Sequence, residues 1–277
     1  MRSGWSGTRI RCRRLGGKAV LAASLVAGST LLASGCSGTP AAHHAAGGMA
    51  TSIPATSIPA APAAPAPTYP AAPTAPTGMS LIATLRGTAV HYASAQGTAD
   101  GMVPALWHGA KSELPVIGSR PGWVEVRIAQ RPNGSTAWVH ASAVTLSSTP
   151  YRIVINTKTM HLLLYKDAKE ILSAPAGIGT ASDPTPRGNY FVAFIESPPE
   201  PNPGYGAFIM VTSAHSPAIA DWDGSGDAVI GIHGPLGDDP EIGTTGARIS
   251  HGCIRLHEAE LLKLRDVPPG SPIQILS

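Results

Sequence analysis

Residues 37–79 contain no Asp, Glu, Lys or Arg, and nine prolines lie between Pro40 and Pro76. A segment of this composition cannot bury a hydrophobic core, and it favours an extended, solvated chain. We therefore assign residues 36–79 as a flexible, Pro- and Ala-rich tether. The folded part of the protein is then expected in residues 80–277.

Residues 1–35 have the three parts of an export signal. Six Lys and Arg residues and no acid lie in residues 1–18, a short apolar stretch follows at 19–33, and the small residues SGC end at Cys36. The apolar stretch is shorter than the roughly 20 residues that a membrane-spanning helix needs. An uncleaved membrane anchor is the alternative interpretation.

The six residues LLASGC, which end at Cys36, also resemble the signal of bacterial lipoproteins. In that family the cysteine after the cleavage site becomes the N-terminus and carries lipid. Ala33 departs from the pattern, because leucine is usual three residues before the cysteine; an ordinary secreted protein is the alternative. The resemblance implies an exported protein of the cell envelope, held at the membrane by lipid on Cys36 and facing the cell wall.

Loss of the signal changes the charge and the cysteine count. All 17 acidic residues follow Cys36 but six of the 20 basic residues precede it, so 14 basic residues remain and the net charge becomes −3. This charge gives no support to nucleic-acid binding.

Cys12 leaves with the signal, which makes Cys253 the sole cysteine of residues 80–277. An unpaired cysteine in an exported protein indicates intermolecular pairing or a reactive role.

Residues 80–148 contain short alternating segments that Gly and Pro interrupt, a pattern typical of β-strands. WVEVRI at 123–128 and AWVHASAV at 137–144 predict two strands around the turn PNGS. A GWV strand followed by an AWV strand resembles the bacterial SH3-like domain, which implies a small β-barrel; an immunoglobulin-like module is the alternative. We expect two of the three tryptophans Trp107, Trp123 and Trp138 to be core residues rather than parts of a glycan-binding surface.

Residues 150–277 predict a second, mainly β domain. YRIVIN and MHLLLYK predict a hairpin, and further strands are predicted within residues 185–194, 204–213 and 228–234 and in the final PIQIL. HEAELLKLRD at 257–266 predicts a helix that ends before two prolines. Its expected apolar side consists of Leu261, Leu262 and Leu264.

Cys253 lies among groups that can activate a thiol. A free thiol has a pKa of about 8.5, so catalysis needs a base within hydrogen-bond reach and donors for the oxyanion. His233 is the candidate base, because it ends a predicted strand and Gly234 lets backbone approach it closely. His251 is expected to orient or shield the thiol, and Arg255 to hold the loop or a substrate carboxylate.

Interpretations in which these residues have a structural or metal-binding role, and not a catalytic one, stay open at this point. A lone histidine at a strand end is usually structural, and a lone buried cysteine usually packs as a small apolar side chain. A zinc site is conceivable on ligand types, although the spacing matches no zinc pattern. Its ligands would be His233, His251, Cys253 and His257.

IHG at 232–234 and SHGCIRL at 250–256 resemble the signature of the L,D-transpeptidases with the YkuD catalytic domain. The resemblance covers residues 150–277 and includes the opening strands, the turn within GIGTASDPTPRGNY at 177–190 and the helix after the cysteine. It implies a β-sandwich catalytic domain with one or two short helices. It implies no metal and no cofactor.

The resemblance also implies an acyl transfer on peptidoglycan stem peptides. Cys253 would attack the third residue of a tetrapeptide stem and release D-Ala, with His233 as the base. A side-chain amine of a second stem would then form a 3→3 cross-link. Carbapenems acylate this cysteine in many members. Ser250, His251, Gly252, Gly234 and Arg255 match motif positions as supporting residues, and amides around Gly252 and Cys253 would form the oxyanion hole.

One position departs from the family pattern. Pro235 stands where the family often has Ser or Thr after the motif histidine, and it removes a hydroxyl and a backbone donor. Residues 196–227 are expected to cover the site, with Tyr205 and Trp222 as substrate contacts.

Other functions remain as alternatives. An L,D-carboxypeptidase would use water as the acceptor. A papain-like hydrolase or a sortase would also use Cys and His, but with a different order or context of these residues. A cell-wall-binding lipoprotein without catalytic activity would use the SH3-like segment.

Overall fold

The computed structural model describes residue 68, residues 70–201 and residues 203–277. The expected export signal, Cys36 and most of the tether lie outside the described residues. No helix in the described part of the chain is long and apolar enough to cross a membrane.

Residues 80–149 form nine strands with one short 3₁₀ helix, Ala141–Ala143, before the last of them. Seven strands form one sheet in the order β3-β2-β8-β7-β6-β1-β9, and β4 and β5 pair as a separate small hairpin. The strands are β1 (Ser80–Leu85), β2 (Ala89–Tyr92), β3 (Ala99–Val103), β4 (Leu106–Trp107), β5 (Ala110–Lys111), β6 (Glu113–Arg120), β7 (Trp123–Arg127), β8 (Thr136–His140) and β9 (Val144–Thr149).

Residues 151–276 form ten strands and two short α-helices, α1 (Asp239–Ile242) and α2 (Glu258–Leu262). The sheet order is β12-β11-β10-β19-β14-β15-β16-β18-β13-β17. The strands are β10 (Tyr151–Asn156), β11 (His161–Lys166), β12 (Lys169–Pro175), β13 (Gly177–Gly179), β14 (Gly188–Glu196), β15 (Ile209–His215), β16 (Val229–His233), β17 (Ala247–Ser250), β18 (Ile254–Arg255) and β19 (Pro272–Leu276).

The mainly β prediction is confirmed, as is the hairpin of β10 and β11, in which Asn156 pairs with His161. Alternating apolar residues explain the packing, because successive side chains of a strand point to opposite faces. Leu162 from β11 and Ile230 from β16 belong to one hydrophobic core although their strands are distant in the sheet order. The sheet therefore closes around a shared core, as in a β-sandwich.

The predicted helix over 257–266 is too long, because α2 ends at Leu262. Just beyond that residue the amides of Lys263, Leu264 and Arg265 each bond the carbonyl three residues back, which is 3₁₀ geometry. Leu261 and Leu264 are buried, but Leu262 is exposed, contrary to the expected apolar side.

The predicted strand over 204–213 begins later than expected. A 3₁₀ helix, Pro203–Tyr205, comes first, and β15 starts at Ile209. Between them Gly206 has a φ of 81°, a conformation that is incompatible with a strand.

The two sheets share a hydrophobic core. Phe191 and Ala193 of β14 are buried among the apolar side chains of the first sheet, including Val124 and Val126 of β7. Trp123 is buried, as expected, whereas Trp107 is only partly buried and packs against this core. Side chains of β14 thus belong to the core of residues 80–149.

Candidate active site

The candidate histidine ends β16, and the candidate cysteine directly precedes the neighbouring parallel strand β18. In the pairing of β16 with β18, Ile232 is opposite Ile254 and His233 is opposite Arg255. Gly231 precedes His233 by two residues, and Cys253 precedes Arg255 by two. These four residues therefore lie on one face of the sheet. The IHG and SHGC motifs, which are distant in sequence, therefore meet in one place.

The thiol of Cys253 is half-buried and accepts a hydrogen bond from the Gly231 amide, with 3.4 Å between N and Sγ. Burial raises the pKa of Cys253, while the Gly231 amide and the positive charge of Arg255 act to lower it. Because the net shift is upward, the resting sulfur is a thiol at neutral pH. Attack on a carbonyl then requires a base that removes the proton.

His233 is suited to be that base. It is only 2% exposed, and burial lowers its pKa to about 4 despite the Gly234 carbonyl, which acts to raise it. The imidazole is therefore neutral at pH 7. Its Nδ1 lies 2.8 Å from the Gly234 carbonyl oxygen, which can only accept, so Nδ1 carries the proton and Nε2 has the free lone pair.

The Gly234 carbonyl is the hydrogen-bond partner of His233 Nδ1. Pro235, which replaces Ser or Thr, therefore does not leave the imidazole without a partner. Gly234 also permits the close approach that was expected: its N–H donates to the Tyr205 carbonyl, and an added Cβ would lie 2.8 Å from the Gly206 nitrogen. The Tyr205 ring packs edge-on against the His233 ring, with 4.8 Å between centroids.

The turn before the cysteine is fixed by hydroxyl groups. Gly252 has a φ of 119°, which favours glycine. Its N–H donates to Ser250 Oγ (3.1 Å), and Ser250 Oγ donates to the Cys253 carbonyl (2.6 Å). Thr185, from the TPRG turn, donates to the Gly252 carbonyl at 2.8 Å. The Gly252 amide thus has a partner within its own turn, whereas the sequence reasoning placed it toward an oxyanion.

Arg255 is anchored on the far side of the site. Its Nη1 is paired with Asp238, in the loop that follows His233, while its Nε is buried without a hydrogen-bond partner among the described residues. His257 pairs with the neighbouring Asp239 at 2.7 Å. No cluster of three or more His, Cys, Asp or Glu side chains suited to a metal occurs in the described ranges.

These side chains open into a cleft with a volume of about 590 Å³. Cys253, His233, Ser250, His251 and Arg255 line it, together with both of the predicted substrate contacts, Tyr205 and Trp222. The Trp222 ring lies 5.5 Å from the His251 ring. His108, from the turn between β4 and β5, also lines the cleft.

Sequence reasoning missed four contributors to this site, which are Gly231, Thr185, Asp238 and His108. A signal existed for Gly231, since it precedes His233 by two residues in a predicted strand and so shares its face. Thr185 belongs to a turn that was quoted for the family resemblance. No local pattern pointed to Asp238 or His108, because their contacts depend on the tertiary fold.

The fold and site define a β protein in which a half-buried thiol and a buried imidazole are positioned by two adjacent strands. Residues 150–275 match the model of YkuD, the L,D-transpeptidase catalytic domain. A Bacillus licheniformis protein provisionally named L,D-transpeptidase YkuD is 28% identical over 127 residues. That match covers 46% of this chain and 66% of the relative, just under two thirds of its length.

Two solved structures illustrate the similarity. An L,D-transpeptidase from Mycobacterium smegmatis is 17% identical, with 56% of this chain and 91% of that chain covered and a TM-score of 0.36. An L,D-transpeptidase from Mycobacterium tuberculosis H37Rv is 19% identical, with 60% and 71% covered and a TM-score of 0.37. The similarity rests on the family model and the curated relative: residues 150–275, less than half of the chain, match the YkuD L,D-transpeptidase catalytic domain.

Proposed function

We propose that the protein is a peptidoglycan L,D-transpeptidase in which Cys253 is the nucleophile and His233 the base. The observation that carries this proposal is the pairing of β16 with β18, which places a half-buried thiol and a neutral imidazole on one face of a cleft. The match of residues 150–275 to the YkuD family model supports the proposed substrate class, the stem peptides of peptidoglycan.

In the first half of the reaction, Cys253 Sγ attacks the carbonyl carbon of the third residue of a tetrapeptide stem. His233 Nε2 takes the thiol proton as the sulfur–carbon bond forms. Collapse of the tetrahedral intermediate breaks the bond to the terminal D-Ala, and His233 returns the proton to the departing amine. A thioester on Cys253 and free D-Ala result.

In the second half, an amine of another stem attacks the thioester. His233 takes a proton from that amine, a 3→3 peptide bond forms, and the proton returns to the Cys253 sulfur. Ser250 and Gly252 hold the turn that presents the sulfur, and Arg255 provides positive charge for a stem carboxylate. We further propose that the protein acts in the cell envelope, anchored by lipid on Cys36.

The test is product analysis with the full chain. Incubation with a tetrapeptide stem and an acceptor stem should release D-Ala and yield a cross-linked dimer detectable by mass spectrometry. Cys253→Ala should do neither. A tripeptide without dimer would identify an L,D-carboxypeptidase instead, and unchanged products from Cys253→Ala would contradict the proposal.

A further inference from the structure

The segment between β15 and β16, residues 216–228, is a compact loop with its own hydrogen bonds. Ser216 N–H donates to the Ala228 carbonyl at 2.7 Å and closes the base of the loop. Nearer the tip, Trp222 N–H donates to the Asp227 carbonyl at 2.8 Å. We call this segment the 216–228 loop.

The 216–228 loop forms one wall of the cleft that contains Cys253. Ser216, Ile219, Trp222 and Asp227 all line that cleft. Apart from its base the loop is largely exposed, and Trp222 is 49% exposed although its ring lies against His251. Few apolar contacts therefore hold the wall, and its position depends on polar contacts at its base.

The contacts at the base come from the first sheet. Arg131, in the turn between β7 and β8, donates from Nη1 to the Ser216 carbonyl (2.9 Å) and from Nη2 to the Ile219 carbonyl (3.1 Å). The same guanidinium donates to Asp227 Oδ1 from Nε at 3.1 Å and from Nη2 at 2.9 Å. One side chain thus joins both ends of the loop.

Asn133, in the same turn, holds the residue that precedes the loop. Its Nδ2 donates to the His215 carbonyl at 2.7 Å, and its Oδ1 accepts from the His215 amide at 2.9 Å. The buried His215 ring in turn pairs with Asp227 Oδ2 at 2.7 Å. The Asn133 side chain therefore pairs with both main-chain groups of His215, as a residue on a neighbouring strand would.

The sheet that carries this turn is packed against β14. Phe191 and Ala193 of β14 are part of the hydrophobic core of residues 80–149, and the Trp107 ring contacts the Phe194 ring at 5.8 Å. Close packing of this kind resists small displacements. The first sheet can consequently act as a rigid support for the wall of the cleft.

We propose that Arg131 and Asn133 are positioning residues, through which residues 80–149 hold the 216–228 loop in the arrangement that binds the stem peptide. This inference rests on the proposed function for the identity of the substrate. Neither residue touches the thiol or the imidazole, so both act on substrate binding and not on the chemical step.

The test compares Arg131→Ala, Arg131→Lys and Asn133→Ala in the full chain. KM and kcat are measured from D-Ala release from the tetrapeptide stem, and cleavage by chymotrypsin after Trp222 is followed by mass spectrometry. Arg131→Ala should raise KM about tenfold, the effect of losing a charge-assisted hydrogen bond, with kcat nearly unchanged. Cleavage after Trp222 should become faster.

The KM of Arg131→Lys should lie between those of Arg131→Ala and the wild type. The rescue is only partial, because one ammonium group cannot reach all three acceptors. Arg120→Ala is the matched control, because Arg120 is an exposed arginine of β6 and has no hydrogen bond to the loop among the described residues. The KM of this variant and its rate of cleavage after Trp222 should equal those of the wild type. Asn133→Ala removes the adjacent contact to His215 and keeps the proposal testable should Arg131→Ala not fold.

Unchanged KM and unchanged cleavage after Trp222 in both Arg131→Ala and Asn133→Ala would overturn the proposal. A fall in kcat at constant KM would also overturn it, because the residues would then act on the chemistry. If the wild type released no D-Ala, the proposed function would fail, whereas the cleavage assay would still decide whether Arg131 holds the loop.

Discussion

The strand pair of Cys253 and His233 and the 216–228 loop, which face each other across the cleft, are held by different kinds of contact. The strand pair is fixed mainly by main-chain pairing and by the Gly234 carbonyl on His233, with one distant partner, the Thr185 hydroxyl on the Gly252 carbonyl. The loop is fixed by side chains that are 82 to 96 residues away in the sequence. The catalytic groups are therefore held mainly by strand pairing, whereas the wall of the cleft is held by side chains of the first sheet.

This difference gives substitutions in the two regions different kinetic signatures. Changes to the strand pair should reduce kcat or the stability of the fold. Changes to the loop should raise KM and leave the chemical step intact.

The largest effect is expected for His233→Gln. Loss of the general base should lower kcat for D-Ala release by about 10²–10⁴-fold, because the proposed mechanism assigns the thiol proton to His233. His161→Gln, which changes the same residue type on the distant strand β11, should leave kcat unchanged. Equal rates in His233→Gln and wild type would remove His233 from the mechanism.

A smaller effect is expected for Gly252→Ala. The φ of 119° is rarely adopted by alanine, and an added Cβ would lie 2.8 Å from Ile230 Cδ1. Such strain costs about 1–3 kcal/mol. Urea denaturation should show this loss together with a lower kcat, whereas Gly87→Ala, where nothing lies within 4 Å, should change neither.

The buried imidazole of His233 also predicts a pH dependence of stability. Its pKa of about 4 in the folded protein is below the ordinary 6.5. As the pH falls from 6.5 toward 4, the unfolded chain binds a proton that the folded protein does not, so stability decreases, by up to about 3 kcal/mol. Urea denaturation at pH 7 and pH 4.5 should show that His233→Gln loses less stability than the wild type. An equal loss in both would contradict the neutral imidazole.

The smallest effect is expected for Trp222→Ala. Its ring is half-exposed and contacts His251, so its removal takes away part of the wall without disturbing the strand pair. We expect KM for the stem peptide to rise about threefold, the effect of losing a partly buried contact of less than about 1 kcal/mol. A large fall in kcat would show that Trp222 acts on the chemistry.

Much of the fold was predictable, because alternating residues specify strands and pair them through short turns. The hairpin of β10 and β11 and the strand that ends at His233 are examples. The helix over 257–266 was overestimated, since its leucines are compatible with α and 3₁₀ geometry alike. The SH3-like assignment, the lipoprotein signal and the domain boundaries stay predictions.

The cysteine and histidine of the site could be predicted from two short motifs, since each motif combines a reactive side chain with a glycine. The contacts of Arg131 and Asn133 could not. Both lie in a polar turn that looks like an ordinary hairpin connection, and their partners become neighbours only when the first sheet packs on β14.

The most direct test of the central claim is the intact mass of the full chain after exposure to a carbapenem, compared with that of Cys253→Ala. The account predicts a mass increase equal to the drug on the wild type only, with the modification on the peptide that contains Cys253. A folded wild type that gains no mass, or a Cys253→Ala protein that gains the same mass, would contradict the assignment of Cys253 as the nucleophile.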